Sequence, residues 1–218
     1  MSALTRLALA LAFALLTCGA SAQAQTSDRL LFEAILLGSR ADVEAALAQG
    51  ASVNARNKDD WTPLMAAVVR NDAELLRLLL AKGADARAVT RTGMNALRYI
   101  GLYGCPECIP ILKAQGLDPN EPDGDGWSAM LYAAVSGRVD IIRALHAAGA
   151  AVNAQAKSGD TPLHLGAANA HAETVSVLLE LGADPNLPNA LGITPLQSAQ
   201  MREERAAYDV IVDHLKSR

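Results

Sequence analysis

Two cysteines stand three residues apart near the middle of the chain, in the segment 105–108, Cys-Pro-Glu-Cys. A pair at this spacing can form a local disulfide, act as a redox-active dithiol, bind a metal or haem, or remain as two free thiols. The disulfide is favoured in an exported protein, because oxidising compartments preserve such bonds. A redox role needs a thiol pKa lowered at a helix start, and dithiol enzymes use a βαβ scaffold for this purpose. We therefore expect a Cys105–Cys108 disulfide, with a thiol–disulfide enzyme using both cysteines as the alternative.

The sequence offers little else for metal or catalytic chemistry. Two cysteines do not complete a zinc site, and Ile109 stands where haem attachment requires histidine. None of the histidines has another histidine four residues away, and the acidic residues around Asp123 do not follow the order of an EF-hand calcium loop. The motifs of phosphate-binding loops, nucleophile elbows and zinc proteases are absent from the sequence. We expect no metal, no cofactor and no catalytic residue, and we predict that the chain is not an enzyme.

The composition indicates closely packed helices. The chain has 218 residues, of which 51% are apolar and 4% aromatic, and alanine and leucine dominate the apolar set. Such side chains favour helices, whereas β-sandwiches use more Val, Ile, Tyr and Trp. The net charge of −4 argues against binding to nucleic acid, because clustered lysine and arginine recognise phosphates.

The first 24 residues have the pattern of a secretory signal peptide. Arg6 is the only charged side chain before Asp28, and an apolar run over residues 7–16 follows it. A membrane span needs roughly 20 apolar residues, so this run predicts none. Small residues then provide cleavage sites after Ala22 or Ala24. We expect a signal peptide over 1–24 and an exported protein, periplasmic rather than secreted to the medium.

A second processing route competes with simple cleavage. Residues 15–18, Leu-Leu-Thr-Cys, are similar to a bacterial lipoprotein box, in which the cysteine carries a lipid anchor. Thr17 fits this box poorly, because Gly, Ala or Ser usually precedes the cysteine. Either route removes Cys18 from the folded domain, so that one cysteine pair remains.

A repeat of 33 residues organises the rest of the chain. A short Thr-Pro-Leu-like segment recurs at that spacing: Trp61-Thr62-Pro63-Leu64, Met94-Asn95-Ala96-Leu97, Trp127-Ser128-Ala129-Met130, Asp160-Thr161-Pro162-Leu163 and Ile193-Thr194-Pro195-Leu196. A glycine at 50, 83, 116, 149 and 182 keeps the same phase, and an asparagine follows it in most copies. The repeat predicts units that start at residues 27, 60, 93, 126, 159 and 192.

This pattern resembles the ankyrin repeat from about Asp28 onward. Thr161-Pro162-Leu163-His164 is similar to the signature of that family, and residues 182–186, Gly-Ala-Asp-Pro-Asn, are similar to its turn. The resemblance implies an all-α repeat solenoid of about six helix-turn-helix units with β-hairpin-like fingers, spanning residues 27–218. The first and last units are expected to be caps, because each has one face in water. The resemblance also implies that His164 orders neighbouring turns through hydrogen bonds.

The third unit departs from the pattern of the others. Asn-Ala replaces Thr-Pro at 95–96, and Arg98 stands where the signature histidine belongs. Gly101 and Gly104 weaken its first helix by up to roughly 1 kcal/mol each relative to alanine. Pro110 would remove a hydrogen bond from a second helix that began four residues earlier. We predict that the second helix starts late or is kinked, and that this unit is less stable than the fifth.

The resemblance finally implies a function, because ankyrin-like stacks bind other proteins through their finger tips and first helices. Tryptophan, methionine and arginine are enriched at the centres of protein interfaces. We predict a non-catalytic protein–protein interaction scaffold that binds an exported partner protein and stabilises or inhibits it. The residues predicted to contact this partner occupy variable positions of the repeat and are Trp61, Met94, Trp127, Tyr103, Arg70 and Arg91.

Overall fold

The computed structural model describes residues 25–217, and within this range the chain forms twelve α-helices and no β-strand. The predicted signal peptide over 1–24, with Cys18, lies outside the described residues. The helices are α1 (25–37), α2 (Arg40–Ala48), α3 (Pro63–Val69), α4 (Ala73–Ala81), α5 (Ala96–Tyr103), α6 (Cys108–Ala114), α7 (Ala129–Val135), α8 (Val139–Ala147), α9 (Pro162–Ala168), α10 (Ala172–Glu180), α11 (Pro195–Met201) and α12 (Arg205–Lys216).

The helices follow one another in pairs, and neighbouring pairs pack together. First helices contact first helices, since α3 packs on α5, α5 on α7, α7 on α9 and α9 on α11. Second helices do the same where α8 meets α10 and α10 meets α12. The buried side chains are mostly leucine, isoleucine, valine and alanine, and they form a row of similar interfaces. The all-α repeat solenoid expected from the sequence is confirmed.

Threonine and proline determine where three of the first helices begin. Thr62, Thr161 and Thr194 are the N-caps of α3, α9 and α11, and each side chain accepts a hydrogen bond from the backbone N–H three residues later. Proline follows each cap, where its missing N–H would have no helical partner. In α5 the cap is Asn95, whose Oδ1 accepts from the backbone N of Arg98 at 3.0 Å. The third unit therefore loses the proline but keeps the cap.

The fingers between the helix pairs are tight turns in the described residues. In each finger a backbone N–H donates to the carbonyl oxygen four residues later, as Thr90 does to Met94 at 2.9 Å. Neighbouring fingers also contact each other, since the N–H of Lys157 donates to the carbonyl of Asp125 at 3.0 Å. These bonds close turns, and no strand forms in residues 25–217, so the β-hairpin-like form expected of the fingers is not confirmed.

A row of asparagines, the asparagine ladder, links successive units. Asn54, Asn120 and Asn153 each donate from Nδ2 to the carbonyl of a glycine 29 residues later. Each Oδ1 also accepts from the backbone N–H 31 residues later. One amide side chain thus provides both a donor and an acceptor across each of these junctions.

One position of the ladder carries an arginine instead of an asparagine. Arg87 stands between Asn54 and Asn120 in phase and donates to the carbonyl of Gly116 at 3.1 Å. A guanidinium cannot accept a hydrogen bond, so the junction into the third unit has only the donating half. The N–H of Ser52, which is equivalent to the N–H groups that the asparagines bind, is accepted at 2.7 Å by Asp28 Oδ1 from within the first unit.

Candidate functional site

The finger residue Trp61 packs against Tyr99 of α5, which in turn packs against Tyr103. Its ring centroid lies 4.8 Å from that of Tyr99 in an edge-to-face arrangement, and Tyr99 stacks on Tyr103 at 6.1 Å. The two tyrosines are four residues apart and therefore share one face of the helix. Tyr99 is buried, Trp61 is half-buried and Tyr103 is 46% exposed. This Trp61 cluster (Trp61, Tyr99 and Tyr103) gives an aromatic surface that begins in the core and ends in solvent.

A second aromatic pair, the Trp127 cluster, lies two units further along. The ring centroids of Trp127 and Tyr132 are 5.1 Å apart, and both side chains are half-buried. Asp123 of the finger fixes the pair, because its Oδ2 accepts from the Tyr132 hydroxyl at 2.6 Å and its Oδ1 from the backbone N of Trp127 at 2.9 Å. One carboxylate therefore sets the positions of both aromatic residues.

Asp123 and Tyr132 form a fixed hydrogen bond rather than a pair that exchanges a proton. Burial alone would raise the pKa of Asp123. The hydrogen bonds from Tyr132 and from two backbone N–H groups lower it by more than burial raises it, so the pKa of Asp123 lies below its usual range. Burial and the hydrogen bond to Asp123 both raise the pKa of Tyr132. The carboxylate stays charged and the phenol stays neutral around pH 7, so neither is suited to general acid–base catalysis.

Met94 lies between the two clusters in the sequence but not on the surface. Its side chain is only 7% exposed and belongs to the core, where burial of an apolar side chain is favourable. Met94, predicted with Trp61 and Trp127 to contact the partner, therefore lacks the exposure that direct contact requires. Tyr99 and Tyr132 complete the clusters instead. They are 33 residues apart, and this shared phase is the sequence signal that points to them.

The two predicted arginines are exposed and also hold neighbouring structure. Arg91 donates from Nε to Asp60 Oδ2 at 2.7 Å, which ties its finger to the preceding one. Arg70 follows the last residue of α3 and donates to the carbonyl oxygen of Leu36 in α1. Each guanidinium is thus held in place while part of it faces solvent.

A groove of about 470 Å³ lies beside Trp61, between α1 and the first finger. Its apolar lining comes from Phe32 and Leu36 of α1, from Trp61 of the finger and from Ala66 of α3. The repeat pattern does not point to Phe32 or Leu36, because the first unit lacks the signature residues. Their spacing of four residues on one helix is the signal that places them on the same face.

His164 and Arg98 perform the same task at equivalent positions of two units. His164 donates from Nε2 to the carbonyl of Ile193 at 2.9 Å, while its Nδ1 completes the capping box of α9. Arg98 donates from Nη1 to the carbonyl of Glu121 at 2.9 Å and from Nη2 to that of Gly93 at 2.7 Å. Each side chain is buried and joins a helix start to a finger. The ordering role that the resemblance implies for His164 is therefore found at both positions.

The two cysteines of the third unit lie together in the turn between α5 and α6. The sulfur atoms of Cys105 and Cys108 are at bonding distance, and their Cα atoms are 5.2 Å apart, inside the usual disulfide range of about 4.4–6.8 Å. Both side chains are fully buried. Cys105 has a φ of +83°, a left-handed conformation that is uncommon for residues other than glycine. The cysteine pair therefore closes an unusual turn inside the core.

The second helix of the third unit starts late, as predicted. α6 begins at Cys108, so Pro110 is its third residue, where a helix N–H has no intrahelical partner. The proline consequently removes no hydrogen bond from the helix. The consequence is a short element, with seven residues in α6 against nine in α10.

Gly101 allows α5 to approach α7 closely. A Cβ atom at this position would lie 2.6 Å from the carbonyl oxygen of Ala129 and 2.8 Å from the Cβ of Tyr132. Contacts this short with backbone require a shift of one helix against the other. The glycine that lowers the helix propensity of α5 is thus required by its packing.

In residues 25–217, no group of three or more His, Cys, Asp or Glu side chains is arranged to hold a metal ion. Among the helices of the same range, none combines the length and apolar content that a membrane crossing requires.

Comparison with known proteins agrees with the repeat pattern. The family model described as Ankyrin repeats (3 copies) matches residues 30–123 and 101–189, which together cover more than half of the chain. No curated protein matches the sequence. Ankyrin repeats indicate a scaffold for protein–protein interaction, in a family that is generally non-catalytic. The chain belongs to the ankyrin repeat family.

Proposed function

We propose that this chain is a periplasmic scaffold without enzymatic activity, which binds an exported partner protein and stabilises or inhibits it. The observation that carries the proposal is the pair of aromatic clusters at equivalent places of the repeat. Trp61 and Trp127 each remain partly exposed although aromatic neighbours are available to cover them. Large aromatic side chains of this kind supply much of the binding energy in protein interfaces.

Arg91 supports the proposal that a partner binds at the Trp61 cluster. Asp60 directly precedes Trp61 and holds Arg91 through a 2.7 Å hydrogen bond, so the guanidinium is fixed next to the Trp61 cluster. A side chain that is already held loses less conformational entropy when a partner binds. Tyr103, exposed at the end of the same cluster, extends the surface along α5.

Cross-linking in intact cells tests this proposal. A photoreactive amino acid in place of Tyr103 is expected to capture one partner protein, whereas the same probe in place of the exposed Lys82 at the end of α4 captures none. Replacing both Trp61 and Trp127 by alanine should weaken the capture by about tenfold or more, because each is a candidate hot spot. Because the probe occupies position 103, the exposed Arg91 is replaced by alanine as the second variant, with helicity measured by circular dichroism. Unchanged capture by folded variants would contradict the proposal.

The thiol–disulfide alternative gains no support from the geometry of the cysteine pair. Disulfide exchange requires a thiolate to approach a sulfur atom directly, and both Cys105 and Cys108 are fully buried. We expect the pair to be a structural disulfide. The purified protein should not reduce insulin faster than its Cys105→Ser, Cys108→Ser variant, and a clear excess would favour the enzyme.

Export is proposed from the pattern of residues 1–24 and has its own test. Mass spectrometry of the mature protein is expected to find Gln23 or Gln25 at the N-terminus, and cell fractionation should place the protein in the periplasm. A lipidated Cys18 at the N-terminus would instead identify a membrane-anchored form of the same scaffold. An intact Met1 on a cytoplasmic protein would contradict export.

A further inference from the structure

The groove beside Trp61 has an apolar floor that solvent reaches. Phe32 and Leu36 lie one helical turn apart on α1, and Trp61 and Ala66 line the groove from the second unit. Leu36 is 58% exposed, although the groove offers it apolar neighbours. Covering such surface is favourable, and exposed apolar grooves with polar edges are typical of binding sites.

The rim of the groove has one arginine, Arg56, that is not paired with a carboxylate in the described part of the chain. Arg29 also lines the groove, but its Nε lies 3.4 Å from the carboxylate of Glu33. The one carboxylate of the lining belongs to Asp28, whose Oδ1 accepts from the N–H of Ser52 at 2.7 Å. Arg56 is held in place by the carbonyl of Val89, to which its Nη1 donates at 2.9 Å.

The size and surroundings of the groove indicate an extended occupant. Its volume of about 470 Å³ lies within the range of about 300–1,000 Å³ that is common for ligand sites. The aromatic surface does not end at the groove, because Trp61 continues through Tyr99 to the exposed Tyr103. A compact molecule would fill only the groove, whereas a stretch of polypeptide could cover both.

We infer that this groove binds a linear segment of the partner protein, with a bulky apolar side chain between Phe32 and Trp61 and an adjacent carboxylate paired with Arg56. The inference rests on the proposed binding function and specifies the chemistry of the partner. Guanidinium groups pair with carboxylates through two parallel hydrogen bonds, and a guanidinium that is already held is prepared for this. The partner segment is therefore acidic as well as apolar.

Peptide selection tests the predicted chemistry directly, whatever the identity of the partner. A phage-displayed library of random twelve-residue peptides is panned against the purified mature protein. The expected result is enrichment of sequences in which Asp or Glu neighbours Phe, Leu, Met or Trp. Absence of enrichment, or enrichment of basic or uncharged sequences, would overturn the inference. The most enriched sequence is then synthesised as a probe for affinity measurements.

Two neighbouring leucines of α1 provide a matched pair of variants. Leu36 lines the groove, whereas Leu37 is 81% exposed and does not. Leu36→Glu should weaken binding of the synthetic peptide by about tenfold or more, because it places a carboxylate where an apolar contact and an acidic neighbour are expected. Leu37→Glu should leave the affinity within about twofold. Equal affinities of the two variants would overturn the inference.

The charged rim has a corresponding pair of variants. Arg56→Gln should weaken binding, and the loss should shrink as salt is added, because screening already weakens the ion pair in the unmodified protein. Arg40→Gln on α2, away from the groove, is the control. If the unmodified protein and Arg56→Gln both bind the peptide with an affinity that does not depend on salt, the acidic part of the inference is overturned.

The two tryptophans separate failure of the inference from failure of the proposed function. Each indole N–H gives its own signal in a ¹H–¹⁵N spectrum, and the peptide should shift that of Trp61 and leave that of Trp127 in place. A shift of Trp127 alone would overturn the inference while the scaffold function stands. If neither the peptide nor a cross-linked partner binds, both fail. A concentration-dependent dimer that Leu36→Glu abolishes would show that a second copy fills the groove, which also overturns the inference.

Discussion

The third unit (residues 93–125) and the fifth unit (159–191) fold in the same way with different residues. In the fifth, Thr161 and His164 form a capping box and His164 reaches the next finger. In the third, Asn95 caps the helix and Arg98 reaches the next finger. The comparison shows that a position tolerates a change of residue type when the new side chain supplies the same hydrogen bonds.

The two units differ in how their second helices are held. His171 in the fifth unit donates from Nε2 to the carbonyl of Val135 at 3.1 Å, which ties the turn before α10 to the preceding unit. Cys105 occupies the equivalent position in the third unit, and its partner is Cys108, three residues away. The fifth unit is thus tied to its neighbour, whereas the turn of the third unit closes on itself. We expect the third unit to open locally more often than the fifth.

The largest effect is expected from Gly101→Ala. The added Cβ would meet the backbone of α7 at 2.6 Å, so the free energy of unfolding should fall by about 1–3 kcal/mol. The control is Ala167→Gly at the equivalent position of the fifth unit, which should cost about 1 kcal/mol through helix propensity and up to about 1 kcal/mol more through the loss of a buried methyl group. Urea denaturation measures both. A more stable Gly101→Ala variant would show that propensity outweighs packing at this junction.

Replacing the cysteine pair by serines should lower the free energy of unfolding by about 2 kcal/mol, as expected for a closed loop of this length. The loss should be local, because the pair holds only the turn between α5 and α6. Hydrogen exchange of backbone amides should be faster in 93–116 than in 159–182 before the change, and faster still afterwards. Equal protection of the two segments would contradict the expectation that the third unit is the weaker one.

A pH titration should separate the units through His164. Burial lowers the pKa of His164 below its ordinary value of 6.5, so the unfolded chain takes up a proton at a higher pH than the folded one does. The contribution of His164 to stability is therefore complete above pH 6.5 and is lost as the pH falls below it. The equivalent position of the third unit, residue 98, carries no histidine. His164→Gln should flatten the dependence, and an unchanged slope between about pH 7 and 5 would exclude His164 as its origin.

The smallest effect is expected from Arg91→Ala, which removes the ion pair with Asp60 in front of the third unit. Both partners are accessible to solvent, and Arg91 is 72% exposed, so the loss should stay below about 1 kcal/mol and vanish in high salt. At the equivalent positions before the fifth unit Lys157 faces Gly126, and Lys157→Ala is the control without a carboxylate. Thermal melts at low and high salt compare the two variants.

The period of 33 residues makes most of the fold predictable. Thr-Pro-Leu segments and phased glycines locate the helix pairs, and Pro110 predicts the late start of α6 because the physics of proline is local. The candidate site is harder to predict, since burial depends on the neighbouring unit. Met94 holds a variable position and is nevertheless covered by the core. Phe32 and Leu36 form a groove only because α1 stands opposite Trp61, a placement that no local pattern encodes.

Each asparagine of the ladder makes the same two hydrogen bonds to the next unit, so one unit could be joined to a different neighbour through the same contacts. Deleting residues 126–158 would bring Asn120 opposite the carbonyl of Gly182 and the N–H of Asp184, which are the atoms that Asn153 binds now. Deleting residues 93–125 would place Arg87 opposite the carbonyl of Gly149 and the N–H of Ala151, which are the atoms that Asn120 binds now. Each deletion therefore removes one asparagine junction and leaves one junction, at Arg87, that has only the donating half. The ladder thus predicts similar melting temperatures for the two deletion variants, and thermal melts test this equality.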